Sequence, residues 1–107
     1  MANRRRETPA QLTESWPDVP SRDAAGETAR QFALNLRAAI GDRSVRSVAR
    51  EVGIDEGTIR NVLSGAAWPD LHSIARLEHS LRSRLYPWRP NTSRAADVGG
   101  DEYFQSN

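Results

Sequence analysis

The 107-residue chain has no cysteine and no lysine. Without thiols it can form neither a disulfide nor a thiolate metal site, which agrees with a reducing compartment. All fifteen side-chain cations are arginine. Long apolar runs are missing too: none approaches the roughly 18–20 residues that a bilayer span requires. Arg4, Arg5 and Arg6 are basic, but no apolar stretch follows them as it would in a secretory signal. The cytoplasm is the expected location. Histidine is scarce, and His72 and His79, seven apart on one helical face, are too distant for a single metal ion. Neither has a nucleophile nearby in the pattern, no glycine-rich phosphate loop occurs, and paired carboxylates are lacking. These absences argue against an enzyme and against any cofactor or metal. No small-molecule ligand is expected, because a separate sensing domain would not fit in the remaining length.

The net charge of +1 says little until it is divided along the chain. Residues 25–90 hold ten Arg against seven acids, the first 24 balance, and the last 17 are net negative. The positive excess therefore falls on the part that is patterned for folding, where phosphate contacts would be made.

The most informative stretch runs from Ser44 to Gly65. Val45, Val48, Ala49 and Val52 recur at i, i+3, i+4 and i+7 and share one helix face. Gly53 stands where a helix ends in a left-handed residue, a conformation only glycine adopts cheaply. Asp55 then offers a carboxylate to cap a second helix. Ile59, Val62 and Leu63 give that helix its buried stripe, and Gly65 ends it. Ala49 is small enough to let the two helices approach closely. The pattern predicts a helix-turn-helix, the arrangement that presents its second helix to a DNA major groove.

Around this stretch the pattern predicts an all-α domain over residues 24–88, a compact bundle of four to five short helices. Helix 1 should run from about Ala24 to Ile40, burying Ala29, Phe32, Ala33, Leu36 and Ile40. Asp70 should cap a fourth helix with Leu71, Ile74, Leu77 and Leu81 inward and a break near Ser83. Trp68 and Tyr86 are expected to close the core, and Trp88 to cover the bundle or join a dimer contact. Residues 1–23 read as a flexible basic arm, with one helical turn allowed at Thr8-Pro9-Ala10-Gln11 by a capping box and a proline at the first position. Trp16 is unusual in such a tail. Residues 89–107, which contain Pro, Ser, Gly and Asp, read as a disordered tail.

The spacing also resembles the helix-turn-helix domains of the Cro and C1 phage repressors, the XRE family. The resemblance spans about Glu27 to Pro87. It rests on V-A-x-x-V-G-I from Val48 to Ile54, T-I-x-x-V-L-x-G from Thr58 to Gly65, Pro69, and L-x-x-I-A-x-L-x-x-x-L from Leu71 to Leu81. It implies a lambda-repressor-like fold and a sequence-specific, double-stranded DNA operator as the partner. It further implies a transcriptional regulator, a repressor or a phage- or prophage-derived protein, with two copies pairing on the operator whether or not they are a homodimer in solution.

The family reads base edges from positions that here hold Glu56, Gly57 and Asn61, with Arg60 beside them. Asn pairs with adenine N6 and N7, Arg with guanine O6 and N7, and Glu accepts from cytosine N4. Phosphate contacts are expected from Ser44 and the amides of Val45 and Arg46 at the amino end of helix 2. Arg37, Arg43, Arg46 and Thr58 are the side-chain candidates. Arg4, Arg5 and Arg6 could enter a minor groove. Three features depart from the family: Val45 stands where Gln is common, Leu63 stands where an acid often pairs with a helix 1 arginine, and the helix 1–2 connection is one residue longer. A bundle that binds a protein instead, as an antitoxin or scaffold does, is the rival expectation. Binding of RNA by the basic arm is a third.

Overall fold

Four helices form where period and caps agree. In a computed structural model that describes residues 6–87, α1 spans Ala24–Ile40, α2 Val45–Val52, α3 Glu56–Ser64 and α4 Leu71–Leu81. No strand occurs among the described residues. Each helix is started by a side chain that accepts an N–H left unpaired by the first turn: Asp23, Ser44, Asp55 and Asp70 accept from Gly26, Ser47, Thr58 and Ser73. The Ser73 N–H first, and then the Ser73 side chain, hold the Asp70 carboxyl below its ordinary range. Gly53 and Gly65 end α2 and α3 at φ 82° and 77°, in the left-handed region where a side chain strains the backbone.

The core is built from all four helices and closes on Leu85. Phe32, Leu36, Val48, Val52, Ile59, Leu77 and Leu85 are sealed from solvent, with Ile40, Ala49, Val62 and Leu63 around them. Two expectations on α4 and the segment after it are corrected. Leu71 is 82% exposed, because it is the first residue of α4 and the inward stripe starts one turn later, at Ile74. Tyr86 is 49% exposed; the closing residue is its neighbour Leu85. Glu78 holds this segment by accepting from the N–H groups of Leu85 and Tyr86, both at 2.8 Å, while Asn35 donates to the Leu85 carbonyl at 2.9 Å.

The expected arm is also corrected over residues 6–23, which pack on the bundle. The Thr8 capping box forms as its sequence predicts and starts a single 3₁₀ turn, Pro9–Leu12, with Pro9 buried. This turn lies along α1 at Gly26, where an added Cβ would stand 2.8 Å from Ser21 Oγ and 3.1 Å from Leu12 Cβ. A glycine inside a helix costs about 1 kcal/mol relative to alanine, and here it admits the packed segment. Ala10 N–H donates to the Gly65 carbonyl at 2.9 Å. Trp16 Nε1 donates to Leu63 O, and Trp68 Nε1 to Glu7 O, each at 2.9 Å. The Trp16–Pro17 peptide is cis. Trp68 is half-buried and so pins the amino-terminal segment as well as lining the bundle.

Glu27 is the polar anchor of the same segment. Its carboxylate accepts from Arg30 Nε and Nη2, Gln31 Nε2 and Ser21 N–H, all between 2.7 and 2.8 Å. Arg30 in turn donates to the Pro17 carbonyl at 3.0 Å. The Arg30 bonds, then those of Gln31 and Ser21, hold the Glu27 carboxyl at about 2 against an ordinary 4.5, although burial opposes the shift. Its own bonds to Glu27 raise Arg30 in turn. Arg4, Arg5, Trp88 and residues 89–107 lie outside the described residues.

Candidate nucleic-acid interface

Three residues, Gly53, Ile54 and Asp55, connect α2 to α3. The N–H groups of Gly53 and Ile54 both return to the Ala49 carbonyl, so the turn is tied to the helix it leaves. Arg76 reaches across from α4 and donates Nε and Nη2 to the Val52 carbonyl, at 3.3 and 3.0 Å. A guanidinium at a helix carboxyl end satisfies an open carbonyl and opposes the negative end of the dipole. The helix pair is thereby fixed to α4 by a polar clamp that periodicity does not reveal.

The start of α3 explains its glycine. A Cβ on Gly57 would stand 2.9 Å from Asp55 Oδ2, the oxygen that accepts the Thr58 N–H. Because Ile59, Val62 and Leu63 face the core, Gly57, Arg60, Asn61 and Ser64 are exposed and Glu56 is half-exposed. All four expected base readers therefore lie on the solvent side of one helix. Glu56 and Arg60 are joined: Oε2 of Glu56 accepts from Arg60 Nε at 2.8 Å and lies 2.6 Å from Nη2 in an ion pair. Asn61 is exposed, and its backbone carbonyl accepts from the Ala66 and Ala67 N–H groups.

The expected phosphate group is less uniform. Ser44 accepts the Ser47 N–H, leaving the amides of Val45 and Arg46 ahead of it for an outside acceptor. The Val45 side chain packs against the core, so only its amide belongs to the surface. Arg37 and Arg46 are exposed. Arg43 pairs with Glu51 at 3.0 Å, both side chains about half exposed, and a pair of that kind is readily exchanged for another anion. Thr58 is half-buried with its N–H taken by the cap.

Arg6 is exposed and lines a recess with Glu7, Leu12, Asp23, Ala25 and Trp68, at the amino end of α1. Ser44 follows the other end of this 17-residue helix, which is about 25 Å long. The structure does not bring Arg6 to the amino end of α2. His72 and His79 are exposed, and no cluster of metal-ligating side chains occurs among the described residues.

A separate apolar groove of about 210 Å³ lies between the amino half of α1, Trp68, Pro69, Ile74 and Tyr86. None of its lining residues belongs to α2 or α3. Compared with known proteins, the chain matches no family model, no curated protein and no solved structure. Among the described residues no helix is long and apolar enough to cross a membrane.

Proposed function

We propose that this protein binds double-stranded DNA sequence-specifically as a transcriptional regulator, a repressor of the Cro/C1 type and of phage or prophage origin, acting in the cytoplasm. The observation that carries the reading is the outward face of α3, where Glu56, Gly57, Arg60 and Asn61 lie together on a helix braced by two caps. The amino end of α2 supplies amide donors of the kind that helix-turn-helix proteins set against a phosphate. α3 enters the major groove; Asn61 takes an adenine edge and Arg60 a guanine edge. Arg37, Arg43 and Arg46 supply the salt-sensitive contacts, and two copies occupy a two-fold operator.

Selection of bound sequences from a random duplex library, near physiological salt, tests this reading. A palindrome is the expected product. Arg60→Ala and Asn61→Ala should each relax one base position, at a cost of about 1–3 kcal/mol, while the melting temperature is kept. Arg46→Ala should weaken all sequences alike and reduce the salt slope by about one. No enrichment by the folded wild type overturns the proposal.

One observation favours a second reading, that of a protein-binding module. The apolar groove beside Tyr86, with Leu71 nearly bare at the start of α4, offers hydrophobic surface apart from α3. A partner seated there would bind Arg60→Ala and Asn61→Ala variants undiminished.

A further inference from the structure

The two ionic side chains of the α3 face are not independent readers. The Arg60 hydrogen bond and the ion-pair contact both fall on a single oxygen, Glu56 Oε2. They occupy the Nε edge of the guanidinium. A guanidinium has five N–H donors in a fixed plane, so the remaining end-on edge still presents a parallel pair, one from Nη1 and one from Nη2. Glu56 Oε1 accepts from no group among the described residues. The pair is accessible, with 58% of the Arg60 side chain and 36% of the Glu56 side chain exposed. The joined side chains thus present two donors and one acceptor.

That set complements the major-groove edge of a G·C pair, which offers the acceptors guanine N7 and O6 and the donor cytosine N4. Resting on the DNA-binding reading above, we propose that Glu56 is a positioning residue for Arg60 and that the pair acts as one unit selecting a single G·C base pair. Arg60 donates its end-on edge to guanine, and Glu56 Oε1 accepts from cytosine N4. The carboxylate limits the rotamers of a long side chain before DNA arrives, so less freedom is lost on binding. It also neutralises Arg60, which makes the unit a poor phosphate binder and keeps it for base edges.

The test is duplex-library selection with wild type, Glu56→Ala, Glu56→Gln, Arg60→Ala, Arg60→Lys and the Glu56→Ala/Arg60→Ala double variant, each first shown to be folded by circular dichroism. The expected wild-type motif contains a guanine whose preference falls about tenfold or more with Arg60→Ala. Arg60→Lys should fall similarly, since an ammonium cannot serve the carboxylate and both guanine acceptors in one plane. Glu56→Ala and Glu56→Gln should lower preference at that same position by several-fold, and Glu56→Ala should have a smaller effect once Arg60 is gone. If the wild type enriches a motif but the Glu56 variants leave that position unchanged, or alter all positions equally, the paired unit is overturned and the DNA reading stands. If the folded wild type enriches nothing, the DNA reading falls and takes the unit with it.

Discussion

Trp16 stands against Gly65 so closely that a Cβ on the glycine would lie 2.7 Å from the indole ring. Its Nε1 passes the glycine to reach the Leu63 carbonyl at 2.9 Å. One residue thus ends α3 in the left-handed region and makes the space into which the amino-terminal tryptophan packs. The end of the helix proposed to enter DNA is therefore anchored by residues from the other end of the chain.

Gly65→Ala should be among the most damaging single changes outside the core. The left-handed conformation costs a side chain roughly 1–2 kcal/mol, and displacing the indole adds about 1–3 kcal/mol of overpacking. A loss of about 2–5 kcal/mol is expected, a melting temperature lowered by some 10 °C or more in a domain of this size. Trp16→Ala combined with Gly65→Ala should cost less than the two changes summed, because the steric part vanishes with the ring. Thermal unfolding of the four proteins in the cycle measures this.

Removal of the amino-terminal residues should affect stability before it affects binding. A protein starting at residue 6 should melt like the full chain. One starting at residue 24 loses Pro9, Trp16 and the Glu7 carbonyl that accepts from Trp68, and should melt far lower or fail to fold. Loss of nucleic-acid binding on truncation to residue 24 would consequently say nothing about Arg4, Arg5 and Arg6; their substitution by Ala is the informative change.

Acid should release the same segment. The Glu27 carboxyl, near 4.5 when unfolded, is held at about 2 in the fold. Its contribution is complete above about pH 5 and declines as pH falls toward 2, since the unfolded chain binds that proton first. The effect is on the order of 2 kcal/mol after allowing for water's access to the group. Glu27→Gln should lower stability at neutral pH and flatten the acid limb of a stability–pH curve. An unchanged acid limb in that variant would mean that the ring of donors around Glu27 does not govern it.

Most of the helical frame was legible because its signals are local. The limits of α1, the caps Ser44, Asp55 and Asp70, and the terminating Gly53 and Gly65 follow from period and cap chemistry within a few residues. The buried stripe of α4 begins one turn later than its period suggests, past Leu71, since periodicity alone does not mark where burial begins. The docking of residues 6–23 was not legible: its partners are the carbonyls of Leu63 and Gly65 and the bare Cα of Gly26, which leave no periodic trace. Two oddities pointed to it, a tryptophan in a polar tail and a glycine inside a helix. On α3 the outward face follows from the stripe, but the period does not say that Glu56 and Arg60 pair; their i,i+4 spacing only permits it. The Arg76 clamp joins residues 24 apart, beyond any local pattern.

The long-distance ties have a consequence for how the chain reaches this structure. Small helical bundles fold fast because most of their contacts are near in sequence, and distant pairings slow the search. Here Trp16 meets Leu63 across 47 residues, Asn35 meets Leu85 across 50, and Trp68 meets Glu7 across 61. During synthesis residues 6–23 can lie along α1 early, but the ties from Trp16 and Glu7 wait for partners made 47 and 61 residues after them.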